Sequence, residues 1–168
     1  MIKGRVLKYG DDINTDVIFP GRYLHIYEAS EIAEHAMEDL DPEFKNKVRK
    51  GDIIVAGKNF GCGSSREQAV TCLKYAGISS IIAKSFSRLF YRNAINQGIP
   101  ILVTDETDKI NENDEIEVDF EIGEIKNLST GAIIKTEPLP AFVLEIINDG
   151  GFIQHLKKKM KEEEHGKV

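Results

Sequence analysis

Apolar and polar positions change period several times along this chain, and each change marks an element. Residues 3 to 9 alternate loosely and predict a first strand, followed by the polar, turn-forming stretch Gly10-Asp11-Asp12-Ile13-Asn14-Thr15-Asp16. A long loop broken by Pro20 and Gly21 leads to Ser30, which is expected to cap a helix with Ile32, Ala33, Ala36 and Met37 at helical spacing. The short β-branched run Ile53-Ile54-Val55, bounded by Gly51 and Gly57, predicts a buried strand. A glycine-rich loop then opens a helix from Ser65 to Tyr75, with Ala69, Val70 and Leu73 inward and Gly77 at its end. Ile78 to Ala83 is a second buried strand, and the four pieces make a βαβ unit.

Phe86 to Gln97 predicts an amphipathic helix with Phe86, Leu89, Phe90 and Ala94 on one face, closed by Gly98 and followed by a short strand from Pro100 to Val103. Beyond it the period returns to two: Glu115 to Phe120 alternates, Gly123 and Gly131 mark turns, and Ile125 and Ile133-Ile134 lie in further strands of an antiparallel meander. A last helix runs from Pro140 to Asn148 before Gly150-Gly151, and Lys157 to Glu164 reads as a charged helical extension fraying into solvent. The class is therefore α/β with a mixed sheet partly closed as a barrel, a domain over residues 1–155 with a charged tail over 156–168.

Composition narrows the function. At 168 residues the chain suits one domain, a size that buries roughly 70% of its unfolded surface. A net charge of −6 opposes nucleic acid as a partner, because that affinity comes from Lys and Arg replacing counterions on phosphates. No apolar run approaches the ~20 residues that cross a bilayer, and Met1-Ile2-Lys3-Gly4 lacks the apolar stretch of a secretion signal, so a cytoplasmic protein with no membrane partner is expected. Two cysteines, Cys62 and Cys72, and four scattered histidines, His25, His35, His155 and His165, form no metal-ligand pattern.

The densest chemistry is Gly57-Lys58-Asn59-Phe60-Gly61-Cys62-Gly63-Ser64-Ser65-Arg66-Glu67-Gln68, a glycine-rich turn feeding a helix N-terminus. Backbone N–H groups and the helix macrodipole favour an anion there, and Arg66 can add a bidentate carboxylate clamp. The stretch lacks the Gly-Lys-Ser/Thr of a phosphate-binding loop, dinucleotide spacing and a serine-hydrolase elbow. The plain alternative is a packing loop with Ser65 as N-cap and Arg66 solvated.

The run from Asn59 to Glu67 resembles the signature of the swivelling C-terminal domain of the aconitase family. The resemblance extends to Asn14-Thr15-Asp16 with Pro20-Gly21-Arg22-Tyr23-Leu24, and to Phe86 with Phe90-Tyr91-Arg92-Asn93-Ala94-Ile95-Asn96 and Gly98, across most of residues 3 to 155 in the expected order. It implies a swivelling β/β/α fold and a hydro-lyase subunit that is a separate chain in two-subunit relatives. It further implies no cofactor on this chain, a 4Fe-4S cluster on a large partner subunit, and activity only with that partner.

By the same resemblance Ser64 matches the catalytic base, Arg66 the residue that holds a substrate carboxylate, Ser65 a hydrogen-bond donor beside it, and Asp16 an active-site carboxylate. The loop after the Thr-Asp block, Tyr23-Leu24-His25-Ile26-Tyr27, meets the group that distinguishes substrates in the family. It has no arginine after Arg22 for a third carboxylate, and Leu24 and Ile26 suit an isopropyl group, which favours isopropylmalate and the leucine pathway. A protonated His25 leaves homoaconitate or a methylated malate open among di- and tricarboxylates. A different class also stays open: a non-catalytic module in which Ser64 and Arg66 only hold an anion.

Overall fold

The computed structural model describes residues 1–166. Strands are β1 (Ile2–Lys8), β2 (Ile53–Ala56), β3 (Ser80–Ala83), β4 (Ile101–Val103), β5 (Glu115–Asp119), β6 (Glu124–Asn127) and β7 (Ile133–Lys135). Helices are α1 (Thr15–Ile18), α2 (Ala29–Glu34), α3 (Phe44–Lys47), α4 (Glu67–Ala76), α5 (Arg88–Asn96), α6 (Ala141–Asn148) and α7 (Phe152–His165).

The strands form one mixed seven-stranded sheet in the order β4-β3-β2-β1-β5-β6-β7, curled into a half-barrel as expected for an α/β swivelling domain. β1 to β4 are parallel and β5 to β7 antiparallel. β1 joins the halves by changing partner along its length. Val6 to Lys8 pair with Ile53 to Val55, whereas Ile2 to Arg5 pair with Val118 to Glu115. The crossover needs a close backbone approach: a Cβ on Gly4 would lie 2.1 Å from the Gly51 carbonyl oxygen.

Every residue of β2 and β3 is buried, as the β-branched runs predicted, while β5 to β7 alternate buried and open positions. Gly77 ends α4 in the left-handed conformation, φ 111°, and returns the chain to β3. The buried Asp52 is held by Arg5, Nη2 to Oδ2 2.7 Å, and by the Arg49 N–H at 2.8 Å, so its charge is paired and tied across β1 and β2.

Three local expectations change. Glu28, not Ser30, occupies the cap position of α2, and the Ser30 hydroxyl donates to the Glu28 carboxylate at 3.3 Å. That helix stops at Glu34; Met37 is buried because it turns to φ 59° and its N–H reaches the Ile18 carbonyl, not because a helical face continues. The second helix of the βαβ region begins after Ser87, whose Oγ accepts the Phe90 N–H, so its inner face is Phe90, Ala94 and Ile95 and Leu89 lies outside. Lys157 to Glu164 belong to α7, none of whose residues is buried; its start is tied by Asp149 to His155 and Lys158. Lys167 and Val168, the end of the expected tail, lie outside the described residues. No helix among the described residues is long and apolar enough to cross a membrane.

Candidate active site

Loops at the carboxyl ends of parallel strands gather on one edge of a sheet, and here the loops after β1, β2 and β3 do so. Single parallel bridges, Asn14 with Cys62 and Phe60 with Phe86, extend the strand order past the strands themselves. The Gly61 N–H bonds to the Ile13 carbonyl at 2.8 Å and the Thr15 N–H to the Cys62 carbonyl at 2.9 Å. Gly61 has φ 79° and lies against the Phe90 ring, where a Cβ would come within 2.3 Å of Cγ. Only glycine fits that approach. Ser87 adds a bond from its hydroxyl to the Gly61 carbonyl at 2.8 Å.

This frame presents Ser64 exposed at the tip of the loop. Thr15, itself buried, donates its hydroxyl to the Ser64 carbonyl at 2.7 Å and fixes the backbone under the side chain. Gly63 takes φ 91°, and Arg66 is extended, φ −136°, before the first turn of α4. Among the described residues the N–H groups of Gly63, Ser64, Ser65 and Arg66 have no acceptor. Together with the macrodipole of the ten-residue α4 they are a run of unpaired donors at a helix N-terminus, which favours an anion or a developing oxyanion.

Arg66, not Ser65, holds the cap position of α4, and the Arg66 side chain is turned inward instead of into solvent. Its Nη1 donates to the Phe19 carbonyl at 2.9 Å and its Nη2 pairs with Asp16 Oδ1 at 2.6 Å. The alternative's solvated Arg66 and its Ser65 cap are not what the structure shows: two bonds aim the fork, and its remaining N–H groups have no acceptor among the described residues. Asp16 sits in the first turn of α1, a turn capped by Asn14 Oδ1 accepting the Val17 N–H at 3.0 Å. With its side chain 64% exposed, Asp16 faces Arg66 within the same chain.

The loop that follows is pinned at one end. Tyr23 stacks on His35 with ring centres 3.7 Å apart, Arg22 lies 4.7 Å over the same ring, and Arg22 forks onto Asp39 at 2.7 and 2.9 Å. Leu24 and His25 are exposed beyond that anchor, whereas Ile26 packs partly buried against the core. The Gln68 amide reaches the Leu24 carbonyl at 3.5 Å, so the loop borders the first turn of α4. The structure thus brings Ser64, Ser65, Arg66 and Asp16 onto one edge with Leu24 close by, while Ile26 is turned toward the core.

Sequence reasoning assigned no role to Thr15 or Phe19, because one acts through a hydroxyl aimed at a backbone carbonyl and the other through its own carbonyl. Cys72 is wholly buried, which pushes its thiol far above the usual cysteine range, and its Sγ faces the Ala69 and Ile18 carbonyls. Among the described residues no cluster of His, Cys, Asp and Glu is arranged to hold a metal ion.

The Aconitase C-terminal domain model matches residues 12–107. The chain is 55% identical over 159 residues to 3-isopropylmalate dehydratase small subunit 1 of Thermotoga maritima, covering 94% of this chain and 96% of that one. It is also 55% identical over 163 residues to the isopropylmalate/citramalate isomerase small subunit of Methanocaldococcus jannaschii, covering 96% and 97%. The crystal structure of 3-isopropylmalate dehydratase from Methanocaldococcus jannaschii superposes with a TM-score of 0.94 at 47% identity over 98% of both chains. Sequence and fold agree, and the chain belongs to the aconitase C-terminal domain family as one of its small subunits.

Proposed function

We propose that this chain is the small subunit of a 3-isopropylmalate dehydratase, interconverting 2-isopropylmalate and 3-isopropylmalate by dehydration and rehydration in the leucine pathway of the cytoplasm. The observation that carries the reading is Ser64 within a run of unpaired N–H donors beside the aimed fork of Arg66. The names of relatives at 55% identity support the substrate class.

A free serine is far too weak an acid to act as a base at neutral pH, so the oxyanion must be stabilised where it forms. The N–H groups of Gly63 to Arg66 and the α4 terminus supply that stabilisation once a partner excludes water. Ser64 Oγ then takes the proton from the carbon beside the carboxylate. The C–H electron pair becomes the new C=C bond as the C–O bond breaks, and the departing hydroxide takes a proton from an acid group of the partner subunit to leave as water; rehydration reverses the step on the neighbouring carbon. Arg66 holds a substrate carboxylate through its open N–H groups, Asp16 keeps the fork aimed, and Ser65 is a further donor to the substrate. Leu24 and His25, exposed at the site edge, are the loop residues placed to meet the substituent, whereas Ile26 backs the loop from the core.

This chain has only two cysteines, one of them sealed in the core, and its residues do not fit an iron–sulfur cluster. We assign the 4Fe-4S cluster to the large partner subunit, where it supplies a Lewis acid for the departing hydroxyl. The Methanocaldococcus relative's name supports a second reading in which a methylated malate is also a substrate, and the exposed His25 extends it to homoaconitate.

The test is anaerobic reconstitution with the cluster-bearing subunit of the same organism, comparing rates on isopropylmalate, citramalate and homoaconitate intermediates. Partner-dependent turnover that favours isopropylmalate is expected. Preference for homoaconitate would move specificity to His25, and no turnover with a competent partner would favour a non-catalytic anion-binding module.

A further inference from the structure

A second feature lies on the same edge of the sheet as Ser64. Phe86, Arg88, Leu89, Arg92 and Val103 line a groove of about 820 Å3 between the start of α5 and the end of β4. Its floor is apolar and open: Leu89 is 49% exposed and Val103, the last residue of β4, 46%. Scattered apolar side chains are ordinary on a surface, but these two adjoin a groove flanked by charge.

The charge is all of one sign. Arg88 and Arg92 are exposed, stand four residues apart on α5, and have no carboxylate partner among the described residues, although Arg5, Arg22 and Arg66 each pair with an aspartate. Like charges at that spacing repel across one helical turn. Arg88 is moreover the first residue of α5, at the positive end of the macrodipole, where a cation is disfavoured. A chain with net charge −6 has thus left two cations unpaired where its own helix opposes them. Acidic groups from outside relieve both effects.

The groove also shares its wall with the Ser64 loop. Ser85, which lines it, accepts the Asn59 N–H at 2.8 Å through its Oγ, and Ser87 donates to the Gly61 carbonyl at 2.8 Å. Ser85 and Ser87 thus tie the groove to the loop that carries Ser64, which makes the groove the adjoining surface for a partner seated over Ser64. We propose that this groove docks an acidic segment of the large subunit, with carboxylates on Arg88 and Arg92 and an apolar side chain between them on Leu89 and Val103. The inference rests on the small-subunit reading above and adds where the two chains meet.

The test uses the full chain and its cluster-bearing partner under anaerobic conditions, following assembly by titration at low and high salt and turnover at saturating partner. The doubly reversed variant R88E/R92E is expected to weaken assembly roughly 100-fold and to flatten its salt dependence. Its turnover at saturation should stay within about twofold of wild type, since neither arginine belongs to the catalytic machinery, and R88K/R92K should restore most of the affinity. An unchanged melting temperature for both variants excludes unfolding as the cause. Unchanged assembly by R88E/R92E overturns the groove while leaving the wild-type enzyme intact. Failure of the wild-type chain to assemble or turn over overturns the small-subunit reading itself, so the two failures are distinct.

Discussion

The parallel and antiparallel halves of this sheet share β1 yet differ in what they can carry. In the parallel half β2 and β3 are buried on both faces, and successive strands need long crossovers, so their carboxyl-end loops are long and lie side by side. Asn14 to Asp16 and Ser64 to Arg66 sit on such loops and are cross-linked by the Thr15 hydroxyl on the Ser64 carbonyl and by the Arg66–Asp16 pair, beside backbone bonds from Thr15 to Cys62 and from Gly61 to Ile13. In the antiparallel half the strands return through tight turns at Gly123 and Gly131, one face stays open, and no candidate site residue is present. Topology, more than local composition, decides which half can converge several loops on one point.

The comparison is broken most directly at Ser64. With the partner subunit present, Ser64→Ala should lower turnover by about 10^3-fold or more while leaving assembly intact, which steady-state rates and sedimentation together will show. Equal turnover by the variant would remove the serine from the chemistry. Arg66→Lys keeps the charge and loses the planar fork; a rise in KM of roughly 10- to 100-fold is expected, with a smaller one for Asp16→Asn.

The frame is tested by Gly61→Ala, which forces a Cβ to within 2.3 Å of the Phe90 ring at positive φ and should cost about 3 kcal/mol in denaturant unfolding. Ile133→Thr on the open face of β7 is its counterpart: a stability change within about 0.5 kcal/mol and unaltered activity are expected. A large activity loss there would mean that the antiparallel half participates after all.

The smallest effect lies outside both halves. Hydrogen bonds from His155, then Lys158, hold the Asp149 carboxyl below its ordinary range. A depressed carboxylate stabilises the fold above its unfolded pKa and loses that contribution as pH falls through the lower folded value. Wild type should therefore be slightly more stable than Asp149→Asn at pH 7, with the difference closing below about pH 4, followed by melting temperature.

Legibility followed the range of the forces involved. The β2–α4–β3 unit was readable because β-branched runs, a helical apolar face and a left-handed Gly77 are local signals. The Ser87 cap was missed because Phe86 continues the apolar spacing one turn ahead of the helix, and its ring packs against Phe60 and Phe90 from the preceding loop. Met37 satisfied a helical period for a reason outside its own segment, a bond to the Ile18 carbonyl.

For the site itself, sequence alone determined the donor-rich glycine turn, the serine and arginine on it, and through resemblance the family. These follow from residue type and spacing, which are properties of neighbours along the chain. Only the tertiary structure decided that Asp16 faces Arg66, that Thr15 braces Ser64, that Ile26 packs on the core and that Arg88 and Arg92 stand unpaired over an apolar groove. Those facts depend on contacts between residues up to 50 positions apart, set by the order of strands in the sheet, and that order becomes definite only when the whole core packs.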